Sequence, residues 1–225
     1  MMDQKRSANF DRIAKAYRWM EYLTFGHSLE RCRNHFVPQL RQCRSALVLG
    51  DGDGRFLARL LAANPSLYAC AVDTSAAMLG LLHHRASAVT RVAPARLRLH
   101  HGDALTFDPT CGFDLIVTHF FLDCLTQSEV NALALHLARC TSRPNILWLI
   151  SDFRIPAGPL HWPARGIVRL LYLAFRLLTR LRITKLPDHA AALTEAGFTP
   201  IAQHLSLGGL LTSELWQSSF PVASE

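Results

Sequence analysis

The sequence predicts a single α/β domain built around a mostly parallel sheet, and three observations support this. Short apolar runs alternate with longer segments of helical periodicity, a pattern typical of a parallel sheet covered on both faces. A glycine-rich turn directly follows the first apolar run. The chain also ends in two apolar runs joined by Gly208-Gly209, which predicts an antiparallel last strand at the sheet edge. A length of 225 residues suits one domain with one substantial core.

Seven strands and the helices around them follow from this pattern. The strands are predicted near residues 46–50, 67–72, 95–100, 113–118, 145–151, 198–207 and 210–216. Helices are predicted near residues 54–63, 75–89, 127–140 and 188–196, with further helices over residues 7–40 ahead of the sheet. The single domain 1–225 then divides into a helical cap (1–42), a ligand-binding core (43–152), an amphipathic helix (160–184) and a C-terminal helix and hairpin (186–225).

Composition restricts the classes of partner. The formal net charge of +7 and the pI of about 9.4 favour an anionic partner, or simply keep the protein in solution. The aromatic residues are not interleaved with basic ones as in nucleic-acid modules, so we expect no nucleic acid. Six scattered cysteines without a C-x-x-C pair predict no metal site. A polar N-terminus and the lack of a long apolar run predict a cytoplasmic location without a signal peptide.

The turn after the first strand is the strongest functional signal. Gly50, Gly52 and Gly54 alternate with Asp51 and Asp53 between an apolar strand and a helix. Such a unit brings bare backbone and a helix N-terminus against a nucleotide-like cofactor.

The second strand ends in an acidic residue. Asp73 lies 19 residues beyond Gly54 (73 − 54), close to the ~20 expected for a carboxylate that binds ribose hydroxyls. We expect Asp73 and the adjacent Thr74 to bind the cofactor.

Three other segments contribute candidate residues. After the third strand, Asp103 and Ala104 form a turn whose carboxylate can accept a hydrogen bond from an exocyclic amine such as that of adenine. After the fourth strand, His119 is a candidate general base and cofactor contact, with Asp123 to orient it. Aromatic residues of the first helices, such as Tyr17, would cover the cofactor; the alternative is plain packing against the sheet.

The segment 163–182 departs from the alternation. Its cations Arg165, Arg169, Arg176 and Arg180 fall within about 60° of one another at 100° per residue, with apolar residues on the other faces. This basic amphipathic helix is typical either of a lid over an active site or of a peripheral contact with an anionic membrane, such as the inner face of a cell membrane. The two roles are compatible.

Several motifs resemble the S-adenosylmethionine-dependent methyltransferases with a Rossmann-like sheet. They are AVDTSAAML (71–79), HGDA (101–104) and FDLI (113–116), together with the glycine turn. The resemblance implies a three-layer sandwich with a seven-stranded sheet. It also implies that the glycine turn holds the amino-acid part of the cofactor, Asp73 the ribose, and Asp103 with Ala104 the adenine.

The flanks are similar to those of the ubiquinone and menaquinone C-methyltransferases. The matching segments are NFDRIAKAY (9–17), LTFG (23–26), LPD (186–188) and EAGF (195–198). The chain departs from the family where Gly50 replaces the usual acid and Phe56 the third glycine, so Asp51 or Asp53 would take the cofactor's ammonium group. The residues after the fourth strand, 118–123, do not match those of the quinone enzymes.

The resulting hypothesis is methyl transfer from S-adenosylmethionine to a lipophilic small molecule, quinol-like or phenolic. Two alternatives remain open at this point. The glycine turn and Asp73 also occur in nicotinamide-dependent oxidoreductases, and Gly50 is compatible with a non-catalytic protein that binds the cofactor as a scaffold or membrane-attached partner. The acceptor atom and the oligomeric state do not follow from the sequence.

Overall fold

One sheet organises the chain. A computed structural model describes residues 27–89, 93–109, 112–140, 145–179 and 185–219. The seven strands in these ranges are β1 (Ser45–Leu49), β2 (Tyr68–Asp73), β3 (Leu97–His101), β4 (Leu115–His119), β5 (Leu147–Phe153), β6 (Phe198–Ser206) and β7 (Leu211–Ser218). Their order is β3-β2-β1-β4-β5-β7-β6. The first five strands run parallel, and β7 runs antiparallel to both β5 and β6. The predicted fold class is confirmed.

Helices cover both faces of this sheet. In the described ranges they are α1 (Ser28–Asn34), α2 (Arg55–Ala63), α3 (Ala76–Val89), α4 (Ala93–Arg96), α5 (Gln127–Cys140), α6 (His161–Thr179) and α7 (His189–Glu195). The same ranges contain 3-10 turns at Val37–Gln42, Leu122–Cys124 and Leu207–Gly209. None of the helices in the described ranges is both long and apolar enough to cross a membrane.

Successive residues of the buried strands pack into two hydrophobic cores, one on each face of the sheet. On β1, Leu47 and Leu49 join one core with α5 and α7, whereas Ala46 and Val48 join a second core with α2 and α3. Both cores are fully buried, which explains why β1 is apolar at successive positions instead of alternating. The packing fixes the carboxyl ends of the parallel strands along one edge.

The strand order reverses between β1 and β4. From β1 the chain proceeds to β2 and β3 on one side, and from β4 to β5 on the other. Loops that leave neighbouring strands in opposite directions open a crevice at their carboxyl ends, which is where ligands bind in such sheets. The loops after β1 and β4 therefore define the candidate site.

Three local features differ from the sequence prediction. Residues 95–96, expected at the start of a strand, belong to the short helix α4. There the buried Arg96 guanidinium donates to the main-chain oxygens of Leu61, Asn64 and Leu67. The last predicted helical residues ahead of the sheet, up to residue 40, form part of the 3-10 turn Val37–Gln42, which has Pro38 near its start. The basic helix begins at His161, which leaves Pro163 in its first turn, where the missing N–H has no intrahelical acceptor.

Candidate cofactor and active site

The glycine turn after β1 has the left-handed backbone that its sequence predicts. Gly50, Gly52 and Gly54 have φ of 66°, 63° and 78°. At Gly54 a Cβ would lie 2.6 Å from Leu82 Cα, so a side chain there would push α3 away. A Cβ on Gly52 would meet no atom within 4 Å, which leaves open space for a ligand above the turn.

Asp51 caps the helix that follows the turn. Its Oδ2 accepts a hydrogen bond from the Leu57 N–H at 3.1 Å, in the first turn of α2. Burial nevertheless raises the pKa of Asp51 to about 7, and the nearby carboxylates of Asp53 and Asp73 add to the increase. A cationic group placed beside Asp51 would stabilise the ionised carboxylate and lower its pKa again, as expected for a residue that binds an ammonium group.

Asp53 is already held by two arginines. Its Oδ1 accepts from Arg55 Nε and its Oδ2 from Arg85 Nη2, each at 3.0 Å. Because both carboxylate oxygens are engaged, the geometry favours Asp51 over Asp53 as the partner of a cofactor ammonium group. Asp53 instead fixes the turn to α2 and α3.

Asp73 lies at the end of β2, beside the glycine turn. Its Oδ1 accepts from the Ser75 N–H at 2.8 Å, and the Gly52 and Thr74 N–H groups also stabilise its charge. Burial outweighs these contacts and raises the pKa of Asp73 to about 6. Thr74 turns its main-chain oxygen toward His101 Nε2, at 3.0 Å.

Asp103 and Ala104 occupy the turn after β3, next to the end of β2. The Asp103 Oδ1 accepts from the Leu105 N–H at 3.0 Å, which holds the side chain in an Asx turn. Ala104 is buried in the core shared with β1 and β2. The structure thus brings Asp51, Asp73 and Asp103 to one edge of three neighbouring strands.

His119 ends β4 and is almost completely buried. Neither ring nitrogen has a hydrogen-bond partner in the described part of the chain, and the ring packs edge-on against Phe56 at 4.3 Å. Burial, and secondarily the charge of Arg33, lower the pKa of His119 well below its ordinary value. The imidazole is therefore neutral at pH 7, and a ligand has two buried polar atoms to satisfy.

Asp123 does not orient the His119 ring as the sequence analysis predicted. Because both nitrogens of His119 lack partners, it makes no hydrogen bond to Asp123. Strand β4 places Thr118 and His119 on opposite faces. Thr118 accepts from Trp148 in the α5 core, whereas His119 packs on Phe56 of α2. Asp123 contacts Asp152 and Cys124 instead.

Asp123 and Asp152 form a buried acid pair that was not foreseen. Their carboxyl groups hydrogen bond to each other, and the Asp123 N–H donates to Asp152 Oδ2 at 3.2 Å. The Cys124 thiol donates to Asp123 Oδ1 at 3.4 Å. Burial raises the pKa of both acids, to about 6 for Asp123 and well above the ordinary value for Asp152, where the charge of Asp123 adds to the increase. Asp152 is the penultimate residue of β5, at the same sheet edge, and its place near a strand end was the available signal.

Arg33 brings a positive charge to the site, and the sequence reasoning missed it. It extends from α1, stacks its guanidinium 4.9 Å from the Phe120 ring centre, and influences the pKa values of Asp51, His119 and Asp123. The sequence did not indicate Arg33 as a site residue, because only folding brings α1 beside the loops after β1 and β4. The predicted contact of Tyr17 lies outside the described residues.

One cluster could hold a metal ion, although none was predicted. Asp108, His136 and Cys140 offer ligand atoms within 4.8 Å of one another. The group lies near the C-terminal end of α5, which runs back from the crevice edge toward the amino ends of the strands. It is therefore separate from the candidate site.

The comparison with known families agrees with this geometry. Residues 47–144, from β1 to beyond α5, match the profile of a family described as "Methyltransferase domain". This match over less than half of the chain supports the prediction of a methyltransferase domain. No curated protein sequence matches the chain.

Several solved structures of similar fold are described as methyltransferases. The S-adenosylmethionine-dependent methyltransferase SibL has a TM-score of 0.64 at 20% identity, over 90% of this chain and 57% of that one. The Streptomyces davawensis enzyme RosA is an N,N-8-amino-8-demethyl-D-riboflavin dimethyltransferase. It has a TM-score of 0.66 at 20% identity, over 94% of this chain and 62% of that one. The mitomycin 7-O-methyltransferase MmcR has a TM-score of 0.68 at 17% identity, over 96% of this chain and 62% of that one.

These comparisons establish the fold. The chain spans about three fifths of the length of each of these three proteins. The narrower resemblance to quinone C-methyltransferases stays a prediction.

Proposed function

We propose that this chain is an S-adenosylmethionine-dependent methyltransferase that methylates a lipophilic small molecule, quinol-like or phenolic. One observation carries the proposal: within the methyltransferase domain, the Asp73 carboxylate lies beside the open Gly52 backbone at the reversal of strand order. A ribose with two hydroxyl donors satisfies the remaining acceptor capacity of that carboxylate.

The residues at the crevice fit the remaining parts of this cofactor. The Asp51 carboxylate, poorly solvated and bound by a single N–H, suits an ammonium group. The second oxygen of Asp103 suits the exocyclic amine of adenine, with the apolar Ala104 beside the ring. Arg33 supplies positive charge near Asp51 for a carboxylate. When bound, the sulfonium supplies an electrophilic methyl group, and the protein's task is alignment in a dry site.

Removal of the acceptor's proton falls to groups after β4. The neutral His119 imidazole has two unpartnered nitrogens and accepts a proton or a hydrogen bond from a hydroxyl. An imidazole whose pKa is strongly lowered is a weak base, whereas the pair of Asp123 and Asp152 titrates nearer neutrality. We assign His119 to hold the acceptor hydroxyl, and the acid pair to receive its proton.

The same acid pair favours a second candidate acceptor. Two buried carboxyl groups that share one proton can bind an amine, since a cation stabilises the ionised form of both. An N-methyltransferase acting on a lipophilic amine is therefore the alternative reaction. Aromatic residues around the loop, Phe120 and Phe121, suit the apolar body of either acceptor.

A turnover assay tests the proposal. Purified protein is incubated with S-adenosylmethionine and, separately, with a quinol, a catechol, a simple phenol and an aromatic amine, and formation of S-adenosylhomocysteine is measured. We expect turnover with at least one hydroxyl acceptor, and turnover with the amine alone would transfer the assignment to N-methylation. Cofactor binding without turnover on any acceptor would support the non-catalytic scaffold instead. Binding of NAD rather than S-adenosylmethionine would indicate an oxidoreductase.

A further inference from the structure

The positive charge of the chain is concentrated in one segment. Residues 153–187 contain seven cationic side chains and no Asp or Glu: Arg154, Arg165, Arg169, Arg176, Arg180, Arg182 and Lys185. Their sum equals the formal net charge of the whole chain, +7. Elsewhere positive and negative side chains balance, so this segment is where an anionic partner would be attracted.

Helix α6, the central part of this segment, is attached by a narrow stripe. Among its side chains that the structure describes (residues 161–171 and 173), the buried ones are Ala164 and Val168, which pack against Leu210 together with Phe153, Ile155 and Leu186. Phe153 ends β5 and Ile155 follows it, so α6 lies at the crevice edge of the sheet. Over these described residues, two small contact residues leave most of the circumference of the helix uncovered.

The uncovered side of α6 is apolar. Trp162, Leu170 and Leu173 are 73%, 68% and 53% exposed, and Ile167 is exposed as well. The apolar surface continues onto the neighbouring loops, where the exposed Leu160 lies against Gly208, next to the exposed Leu207. A soluble protein rarely leaves so many large apolar side chains exposed in one contiguous patch.

The arginines border this apolar side. At 100° per residue, Arg165 and Arg169 lie about 20° to 60° from Trp162 around the helix, between it and the buried stripe. Arg165 also places its guanidinium 6.0 Å from the Trp162 ring centre. An apolar face flanked by arginines, with a Trp at the boundary, matches the headgroup region of an anionic bilayer, where apolar groups are buried and phosphates lie alongside.

We propose that α6 docks onto an anionic lipid bilayer, with its exposed apolar face in the interface and its arginines on the lipid phosphates. A lid role would require the apolar face of α6 to turn toward the sheet, but among the described side chains of α6 it is Ala164 and Val168 that face the sheet. Docking places the mouth of the crevice next to the membrane. If the proposed function holds, a lipophilic acceptor reaches the site from the lipid phase.

The charge requirement is tested by flotation with vesicles. The full-length protein is mixed with vesicles of phosphatidylcholine alone, or of equal parts phosphatidylcholine and phosphatidylglycerol, and the bound fraction is measured at low and high salt. We expect binding only to the anionic vesicles, weakened by salt. Arg165→Glu with Arg169→Glu should reduce the partition at least about tenfold. The reversal of an exposed arginine on α5, Arg139→Glu, is the matched control and should leave binding unchanged.

The apolar requirement is tested with a second pair of variants. Leu170→Ser with Leu173→Ser removes exposed side chains only, so the fold is retained, and we expect a similar loss of binding. Leu81→Ser, exposed on α3, is its control. Equal binding of the two α6 variants and wild type, or no wild-type binding to anionic vesicles, would overturn the proposal. So would self-association that the Leu170 and Leu173 changes abolish in the absence of vesicle binding. Cofactor binding measured separately keeps this result independent of the proposed function.

Discussion

Arg85 of α3 binds Asp53 of the glycine turn twice. Its Nε donates to the Asp53 main-chain oxygen and its Nη2 to the carboxylate, both at 3.0 Å. The contact spans 32 residues and holds the turn against α3, where Gly54 also packs tightly on Leu82. The shape of the proposed cofactor loop therefore depends on its contacts with α3.

Removing this arginine should loosen the turn. We expect Arg85→Ala to weaken S-adenosylmethionine binding about tenfold and to lower stability by about 1 kcal/mol, because a half-buried bidentate contact is lost. Calorimetric titration and thermal unfolding measure the two effects. Arg139→Ala on the exposed side of α5 is the control. Unchanged affinity in Arg85→Ala would show that the turn holds its shape without α3.

Cofactor affinity should depend on pH through Asp51 and Asp73. Burial raises their pKa values to about 7 and about 6, and we assign the ionised forms to bind the ammonium and ribose groups. Affinity should therefore increase as pH rises from 5 to 8, by up to about a hundredfold per unit below pH 6, where both groups must ionise, and up to about tenfold per unit between pH 6 and 7. Asp51→Asn should remove the upper part of this dependence. A pH-independent dissociation constant for wild type would contradict the assignment.

The same shift predicts the effect of Asp51 on folding. A carboxyl group whose pKa is raised in the folded state takes up protons more readily there than in the unfolded chain. The contribution of Asp51 to the free energy of unfolding is thus most favourable below the unfolded pKa of ~3.9. This contribution is lost as pH rises through about 7. Without cofactor, Asp51→Asn should be more stable than wild type at pH 8 and no more stable at pH 4. Denaturant unfolding at the two pH values measures this.

The division of work between His119 and the acid pair is also testable. His119→Ala should raise KM for the acceptor with a modest loss of kcat, because we assign it to hold the hydroxyl. Asp123→Asn should lower kcat by about 10²-fold or more and remove the ionisation near pH 6 from the rate profile. Retention of that ionisation in Asp123→Asn would exclude the acid pair as proton acceptor. Binding of S-adenosylmethionine, measured in parallel, reports whether either variant disturbs the cofactor site.

Glu214 should act on stability alone. Its buried carboxylate on β7 accepts hydrogen bonds from His189, Gln203, Thr212 and Trp216 at 2.9 to 3.2 Å. These partners, His189 first among them, hold its pKa at about 2 despite burial. Glu214→Ala should cost about 3 kcal/mol by leaving buried donors unpaired. Glu30→Ala, at an exposed ion pair with Arg59, should cost almost nothing, and equal unfolding midpoints for the two variants would refute this.

The sequence predicted the framework because local signals agree there with the tertiary fold. The glycines after β1 need positive φ, and Asp73 follows a strand at the spacing that places it beside them. The buried parallel strands contain runs of successive apolar residues, so most of their limits were predicted within two residues. The Gly208-Gly209 turn likewise specified the antiparallel hairpin.

Contacts between side chains that are distant in the sequence could not be predicted from such local patterns. Whether Asp51 or Asp53 faces the ligand depends on Arg85, which lies on another helix. The face to which His119 points follows from the strand period, but its separation from Asp123 depends on the turn at Phe120, where φ is 50°. Arg33 and Asp152 reach the site only through folding, and no spacing rule connects them with the glycine turn.

The central claim is that Asp73 and the glycine turn bind S-adenosylmethionine. Isothermal titration of the purified protein with S-adenosylmethionine and with S-adenosylhomocysteine, compared with Asp73→Ala, tests it most directly. The account predicts saturable binding of both compounds and a loss of at least about tenfold, or about 1.4 kcal/mol, in the variant. Absence of binding in the folded wild type, or equal affinity in Asp73→Ala, would contradict it.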